Sequence, residues 1–404
     1  MTTTPASLPD PAACARCGAC TAVCPVFRAT GRETYTARGK LHLLQRLDAQ
    51  GDTAAMAAVL AHCLLCGACG QHCPRGMAPH LLFEALRTTL TCPSGTHTFL
   101  ATLARSTMAR PRLAAGIAGA GARLFDLLPA TSGLRLRLQG LGILPETRLD
   151  PIPEQASDAA ATLNYFSGCL ARHLRRDIDA ATRWSANRLC GHVLTHPESQ
   201  VCCGLAALAA GDRVQAADLA RANIESFAGN DLPILTSCAS CYSHLRRYPE
   251  ILAGDRQWQR RAESFAGRLR EYSSLLCSDG ALTRLPGLAQ TAVAKIIVYH
   301  DPCHLRFHQK VTSQPRSLLG GLPGVLLREL PSGPRCCGQG GMFHLTHAAT
   351  AAAIRGPLVD DFLETGAGWL LSSCSGCLLH LRQAIDPTRA RVVHPAVFLA
   401  EHFG

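Results

Sequence analysis

The sequence predicts a mixed α+β and α/β protein: a mainly helical N-terminal domain followed by two copies of one α/β unit. Three observations carry this. Twenty-one cysteines in 404 residues fall into two blocks. The second block repeats itself at a fixed interval. Short apolar runs end at its cysteines, and helical stretches lie between them. With 47% hydrophobic and 17% charged residues, the chain buries a sizeable core and is not a disordered polymer.

The cysteine count also bounds the chemistry. The first residues, Met1 to Asp10, carry no basic n-region and no apolar core, so no secretory signal is expected. Thiols are then expected to stay reduced, which disfavours a disulfide scaffold, and metal ligation is the remaining reading. The longest uncharged stretch near the middle of the chain, Leu113 to Ala122, is flanked by Arg112 and Arg123. It is far short of the ~20 residues that a membrane span needs. The net charge of +11 fits an anionic partner, lipid headgroups or a docking protein surface, without selecting among them.

The expected domains are 1–97, a linker of helix and Pro-rich chain over 98–158, and two α/β domains over 159–290 and 291–404. In the first, Gly39 to Leu47 and Pro79 to Thr89 read as amphipathic helices packed over cysteine loops. In the second block, Cys303, Cys336 and Cys337 follow Cys169, Cys202 and Cys203 by 134 residues. Cys374 and Cys377 follow Cys238 and Cys241 by 136, and Tyr299 follows Tyr165 by 134. Spacing kept this closely is duplication. Leu163–Phe166, Leu232–Leu235, Ile296–Tyr299 and Trp369–Leu371 read as strands, with helices over Ala206–Phe227 and Ala348–Leu363. Strand, cysteine, helix and strand in turn place the thiols at the carboxyl ends of parallel strands.

In the first block the runs are Cys14, Cys17, Cys20, Cys24-Pro25 and Cys63, Cys66, Cys69, Cys73-Pro74. Each has the C-x₂-C-x₂-C-x₃-C-P spacing of a bacterial ferredoxin, and two copies predict two [4Fe–4S] clusters. Three closely spaced thiolates wrap one cluster. The fourth lies too far along and ligates the other. The expected ligand sets are Cys14, Cys17, Cys20 and Cys73 for one cluster, and Cys63, Cys66, Cys69 and Cys24 for the other. A pair of Cys₄ zinc sites would instead use CxxC pairs separated by longer loops.

Each repeat of the second block offers one Cys, then Cys-Cys-Gly, then Cys-x-x-Cys. The sets are Cys169, Cys202, Cys203, Cys238 and Cys241, and Cys303, Cys336, Cys337, Cys374 and Cys377. Five thiols exceed the four that a tetrahedral zinc accepts. A cluster, a single zinc and unligated thiols remain the alternative readings of these sites.

These repeats resemble the cysteine-rich CCG domains of heterodisulfide reductase. The whole chain resembles the iron–sulfur subunit of bacterial glycolate oxidase. Iron–sulfur subunits of anaerobic glycerol-3-phosphate dehydrogenase and lactate-utilisation iron–sulfur proteins share parts of the plan. Thr36-Ala37-Arg38-Gly39-Lys40-Leu41 and Cys73-Pro74-Arg75-Gly76-Met77 are similar to segments of the glycolate oxidase subunit. Members of that family lack the first Cys of each CxxC pair in some cases; this chain keeps both, Cys238 and Cys374.

The resemblance implies a ferredoxin-type N-terminal domain and, in the CCG domains, one noncubane [4Fe–4S] cluster each. It implies an electron-transfer subunit without a catalytic residue of its own. FAD would sit on a separate dehydrogenase subunit that oxidises glycolate to glyoxylate, and electrons would pass toward a quinone-linked acceptor. The expected location is cytoplasmic, with peripheral contact on the inner face of a membrane. The rivals are a disulfide-cleaving subunit, and the iron–sulfur subunit of a D-lactate or glycerol-3-phosphate dehydrogenase. A zinc-bearing nucleic-acid binder is disfavoured, because clustered Lys and aromatic platforms are absent.

The other features have plainer readings. Gly116, Gly119 and Gly121 are not a dinucleotide loop, since no strand precedes them. His300, His304, His344 and His347 are expected to pack around the cysteine sites rather than ligate. Arg105, Arg110, Arg112, Arg123, Arg135 and Arg137 are expected on a solvated face. Cys92, Cys190 and Cys277 are expected to be ordinary buried thiols.

Overall fold

The computed structural model describes residues 8–47, 53–90, 99–110, 160–284 and 294–403, with parts of 113–119. Most of the predicted linker, together with Cys92, lies outside the described residues. Among the described residues, no helix is long and apolar enough to cross a membrane.

The N-terminal region is helical, as the amphipathic runs predict. Helices Ala37–Leu47, Thr53–Ala61 and Pro79–Leu90 pack together around Leu41, Met56, Leu60, Leu82 and Phe83. Short helices Ala19–Val23 and Ala68–Gln71 each start at a glycine inside a cysteine run.

Two four-stranded sheets follow, and all their pairings are parallel. The first has the order β2-β1-β3-β4, with β1 Leu163–Tyr165, β2 Leu194–Thr195, β3 Ile234–Thr236 and β4 Leu269–Glu271. The second has the order β6-β5-β7-β8, with β5 Lys295–Tyr299, β6 Val325–Arg328, β7 Trp369–Leu371 and β8 Arg391–Val393. The matching orders bear out the duplication. The central strands carry apolar or aromatic side chains and are buried, as doubly covered parallel strands require. The outer strands β2, β4, β6 and β8 escape sequence reading because, unlike the central strands, none is followed within four residues by a cysteine of the repeated sets.

The repeat extends to its polar contacts. Tyr165 Oη lies 2.9 Å from Ser237 Oγ, and Tyr299 donates to Ser373 Oγ at 3.1 Å. Each bond ties the first strand of its unit to the loop that carries the CxxC pair. In one respect the helix pattern differs from expectation. The Ala206–Phe227 stretch is two helices, Leu205–Ala209 and Arg213–Ser226. The chain breaks at Gly211, φ 88°, and Asp212 restarts the helix by accepting from the Gln215 N–H at 3.0 Å.

The two α/β units share one core. It runs from Leu163, Tyr165 and Leu189 in the first to Val298, Leu371 and Phe398 in the second. Across the middle, Ala239 N donates to Ser373 O at 2.7 Å, and buried His394 bonds Ser237 O through Nε2 at 2.9 Å. The N-terminal region docks on the first unit through Glu84, which takes both Arg247 Nη1 at 2.9 Å and Nη2 at 2.7 Å. Arg105 reaches Asp212 at 3.1 Å and is mostly buried, so it does not lie on the solvated face expected for the basic segment.

The Glu84–Arg247 pair yields a stability prediction. Glu84→Leu leaves a largely buried guanidinium with only the exposed Glu250, 3.0 Å from its Nε, and the expected loss is about 2 kcal/mol. Urea unfolding of the reconstituted chain measures it, and an unchanged midpoint would show that the pair does not hold the docking.

Candidate electron-transfer centre

The two ferredoxin-type runs fold alike. Arg16 and Leu65, each just before the second Cys of its run, take φ values of 54° and 53°. Together with Lys310 they are the non-glycine residues with positive φ among those described. This backbone conformation costs energy for a residue with a Cβ, and its recurrence at one loop position marks a site-imposed geometry. Gly18 and Gly67 follow at φ 82° and 80° and open the short helices.

A cavity of about 400 Å³ lies behind these loops, and Cys24, Cys63, Cys66 and Cys69 line it. These are the four thiols expected for one cluster, with Cys24 arriving from the other run. Cys14, Cys20 and Cys73 pack against the apolar cluster beside the cavity, while Cys17 is exposed. Burial pushes the Cys66 and Cys69 thiols well up, and the surrounding sulfurs add to the shift.

Lys40 also lines the cavity and is 1% exposed. Its ammonium donates to the Tyr35 and His62 carbonyls. Among the described residues no carboxylate pairs with it. Burial lowers its pKa, and the negative charges of Cys63, Cys24 and Cys69 act against that shift. A cation held here therefore matches an anionic group bound by the thiolates.

In the first α/β unit the five thiols form a hydrogen-bonded line, in the order Cys169, Cys202, Cys203, Cys241 and Cys238. In the second, Cys336, Cys337, Cys377 and Cys374 do the same, with Cys337 and Cys377 sulfurs 3.0 Å apart. Cys303 stands beside Cys337 and Cys374. Neighbouring S–H donors hold Cys202, Cys238 and Cys337 well below the ordinary thiol range. The structure thus brings each predicted five-cysteine set together at the carboxyl ends of its strands.

Gly204 and Gly338, after the paired cysteines, have φ 97° and 80°. A Cβ on Gly338 would meet Ala351 O at 2.5 Å. Close passage of the following helix, rather than room for a cofactor, is what requires glycine there.

Sequence reasoning missed the links between these sites. Cys238 of one unit hydrogen-bonds to Cys374 of the other, and Ser240 Oγ lies 3.3 Å and 3.6 Å from the two sulfurs. On the other side, Cys66, Cys303 and Cys336 line one cleft of about 710 Å³. His304, with Nδ1 3.7 Å from Cys303 Sγ, lies with its ring 5.0 Å from and tilted to that of His308, which lies against Gly67. Burial holds these two imidazoles neutral, with pKa values of about 3 and about 4. The thiols thus run from exposed Cys17 through the cavity to the second unit and then the first. Cys190 and Cys277 pack at the edge of the core, away from this line, as ordinary thiols do.

Residues 11–77 match the 4Fe-4S dicluster domain family, and residues 163–246 and 297–382 match the cysteine-rich domain family. The chain is similar to the probable glycolate oxidase iron–sulfur subunit of Bacillus subtilis (strain 168), at 26% identity over 97% of this chain and 94% of that one. It is also similar to lactate utilization protein A of Bacillus thuringiensis (strain Al Hakam) and of Bacillus cereus (strain AH187). Each is 31% identical over 55% of this chain and 91% of its own length.

Proposed function

Because the chain belongs to the family of glycolate oxidase iron–sulfur subunits and lactate utilization protein A, we propose that it is the electron-carrying subunit of a flavoprotein 2-hydroxyacid dehydrogenase, glycolate being the favoured substrate. In this reading FAD and substrate sit on a partner subunit, and electrons leave toward a quinone-linked acceptor. The observation that carries it is the series of thiols that runs from exposed Cys17 past the inner cavity to half-buried Cys169.

Iron–sulfur clusters bound by these thiolates supply one-electron chemistry. Cys14, Cys17, Cys20 and Cys73 would hold one four-iron cluster at the surface, and Cys63, Cys66, Cys69 and Cys24 the second behind it. The two five-cysteine sets would each hold a further four-iron cluster. The chain's own part is to position these groups, exclude water and balance charge. Leu64, Phe83 and Tyr35 wall the inner cavity, and Lys40 supplies a fixed positive charge. Such a charge favours the more negative, reduced state of whatever the cavity binds. No side chain is assigned to acid, base or nucleophile chemistry on the substrate.

The test is a comparison of the reconstituted chain with and without its flavoprotein partner. Alone, it is expected to oxidise neither glycolate nor D-lactate with an artificial acceptor. With the partner, substrate should bleach its visible absorption. Turnover by the flavin-free chain would overturn the subunit reading.

A further inference from the structure

The two five-cysteine sites differ in the residue three places before their first cysteine. His300 precedes Cys303 by three residues, and the residue 134 places earlier, three before Cys169, is Phe166. Both side chains are buried, at 1% and 0% exposure. Phe166 does what an apolar residue does there. It packs against Cys202, Cys203, Cys238 and Cys241, and its ring stacks 6.0 Å from that of Phe227.

His300 occupies the same kind of place with an imidazole. Its Nδ1 lies 3.1 Å from Ser372 Oγ, while its Nε2 is buried and has no hydrogen-bond partner among the described residues. A ring nitrogen of His300 and the sulfurs of Cys337 and Cys377 all lie within 4.8 Å of one another. The first unit has Thr236 where the second has Ser372, and Thr236 Oγ1 has no partner beside Phe166. A buried, unpaired ring nitrogen is costly unless something fills its lone pair. A histidine that ligates a metal commonly fixes its other nitrogen by a hydrogen bond, as Ser372 does here.

We propose that His300 Nε2 is a ligand to the iron centre of the second site, with Nδ1–H held by Ser372 Oγ, whereas the first site is all-thiolate. The ligand set of the second site is then imidazole with Cys303, Cys336, Cys337, Cys374 and Cys377. This rests on the reading that the five-cysteine sites hold iron–sulfur clusters. The imidazole is then a neutral donor added to the five thiolates, and the all-thiolate first site has no counterpart to it. The second site, which stands between the inner cavity and the first site, is thereby set apart in ligation from its duplicate.

The experiment is pulsed EPR on the reduced, anaerobically reconstituted full chain, prepared with natural-abundance and with ¹⁵N-labelled histidine. The expected result is a strongly coupled histidine nitrogen whose pattern changes with the label. This needs no substitution, so folding does not enter. The same coupling should vanish in His300→Phe, a residue the duplicate position already accommodates. In that variant the spectrum of one centre should change, while the other centres keep their wild-type signals. Iron centres additional to the two cubanes but lacking a histidine coupling would overturn the ligation. A wild-type chain with about 8 Fe and signals from cubanes only would instead overturn the cluster reading beneath it.

Discussion

Anaerobically reconstituted wild-type chain is expected to hold about 16 Fe, and the double variant Cys203→Ser, Cys337→Ser about 8. The reasoning starts from geometry. Cys203 is the middle member of its hydrogen-bonded line, between Cys202 and Cys241. Cys337 is its counterpart, between Cys336 and Cys377. Removing the central thiol of each set deprives a bound cluster of a ligand on the side where sulfurs crowd closest. Both residues are buried, and Ser is nearly isosteric, so the fold should survive. The two runs of the N-terminal domain are untouched and should keep about four Fe each. Iron and acid-labile sulfide analysis gives the number directly. If both proteins hold about 8 Fe with identical spectra, the α/β units carry no clusters and their ten thiols serve packing alone.

Cys24→Ser is expected to damage the cluster of the second run, although Cys24 belongs to the first. Cys24 lines the inner cavity with Cys63, Cys66 and Cys69, and Cys73 does not line it. Its thiol feels Cys63 and Lys40. A serine hydroxyl ionises far less readily than a thiol, so the fourth ligand is lost or much weakened. EPR of the reduced variant should show one cubane lost or converted, and the magnetic coupling between the two cubanes gone. Two coupled, unaltered cubanes would reject the crossed ligand sets. Loss of the outer cluster with the inner one intact would reject them equally.

Much of this is legible without coordinates because cysteine spacing is a local signal. The runs at Cys14–Cys24 and Cys63–Cys73 prescribe loops that any fold must respect. The offsets of 134 and 136 residues announce a duplicated unit, and the two sheets share one strand order. Strands β1, β3, β5 and β7 are visible because each is an apolar run ending at a ligand position. Strands β2, β4, β6 and β8 are not. A run as short as Leu194–Thr195 has no periodicity of its own and becomes a strand only because β1 offers it unpaired backbone.

The ligand types, their grouping and the repetition of the α/β unit are all written in the amino-acid order, since they follow from identity and spacing along one chain. Packing in three dimensions brings Cys238 to Cys374, sets Cys66 facing Cys303 and Cys336, and carries Lys40 into the cavity with no carboxylate partner among the described residues. It also makes His300, which reads as ordinary packing in sequence, turn an unpartnered nitrogen toward two thiols. The physical reason is the same in each case. These contacts join residues about 20 to more than 200 positions apart. Burial, desolvation and hydrogen-bond satisfaction are properties of the packed volume, and no stretch of chain carries them alone.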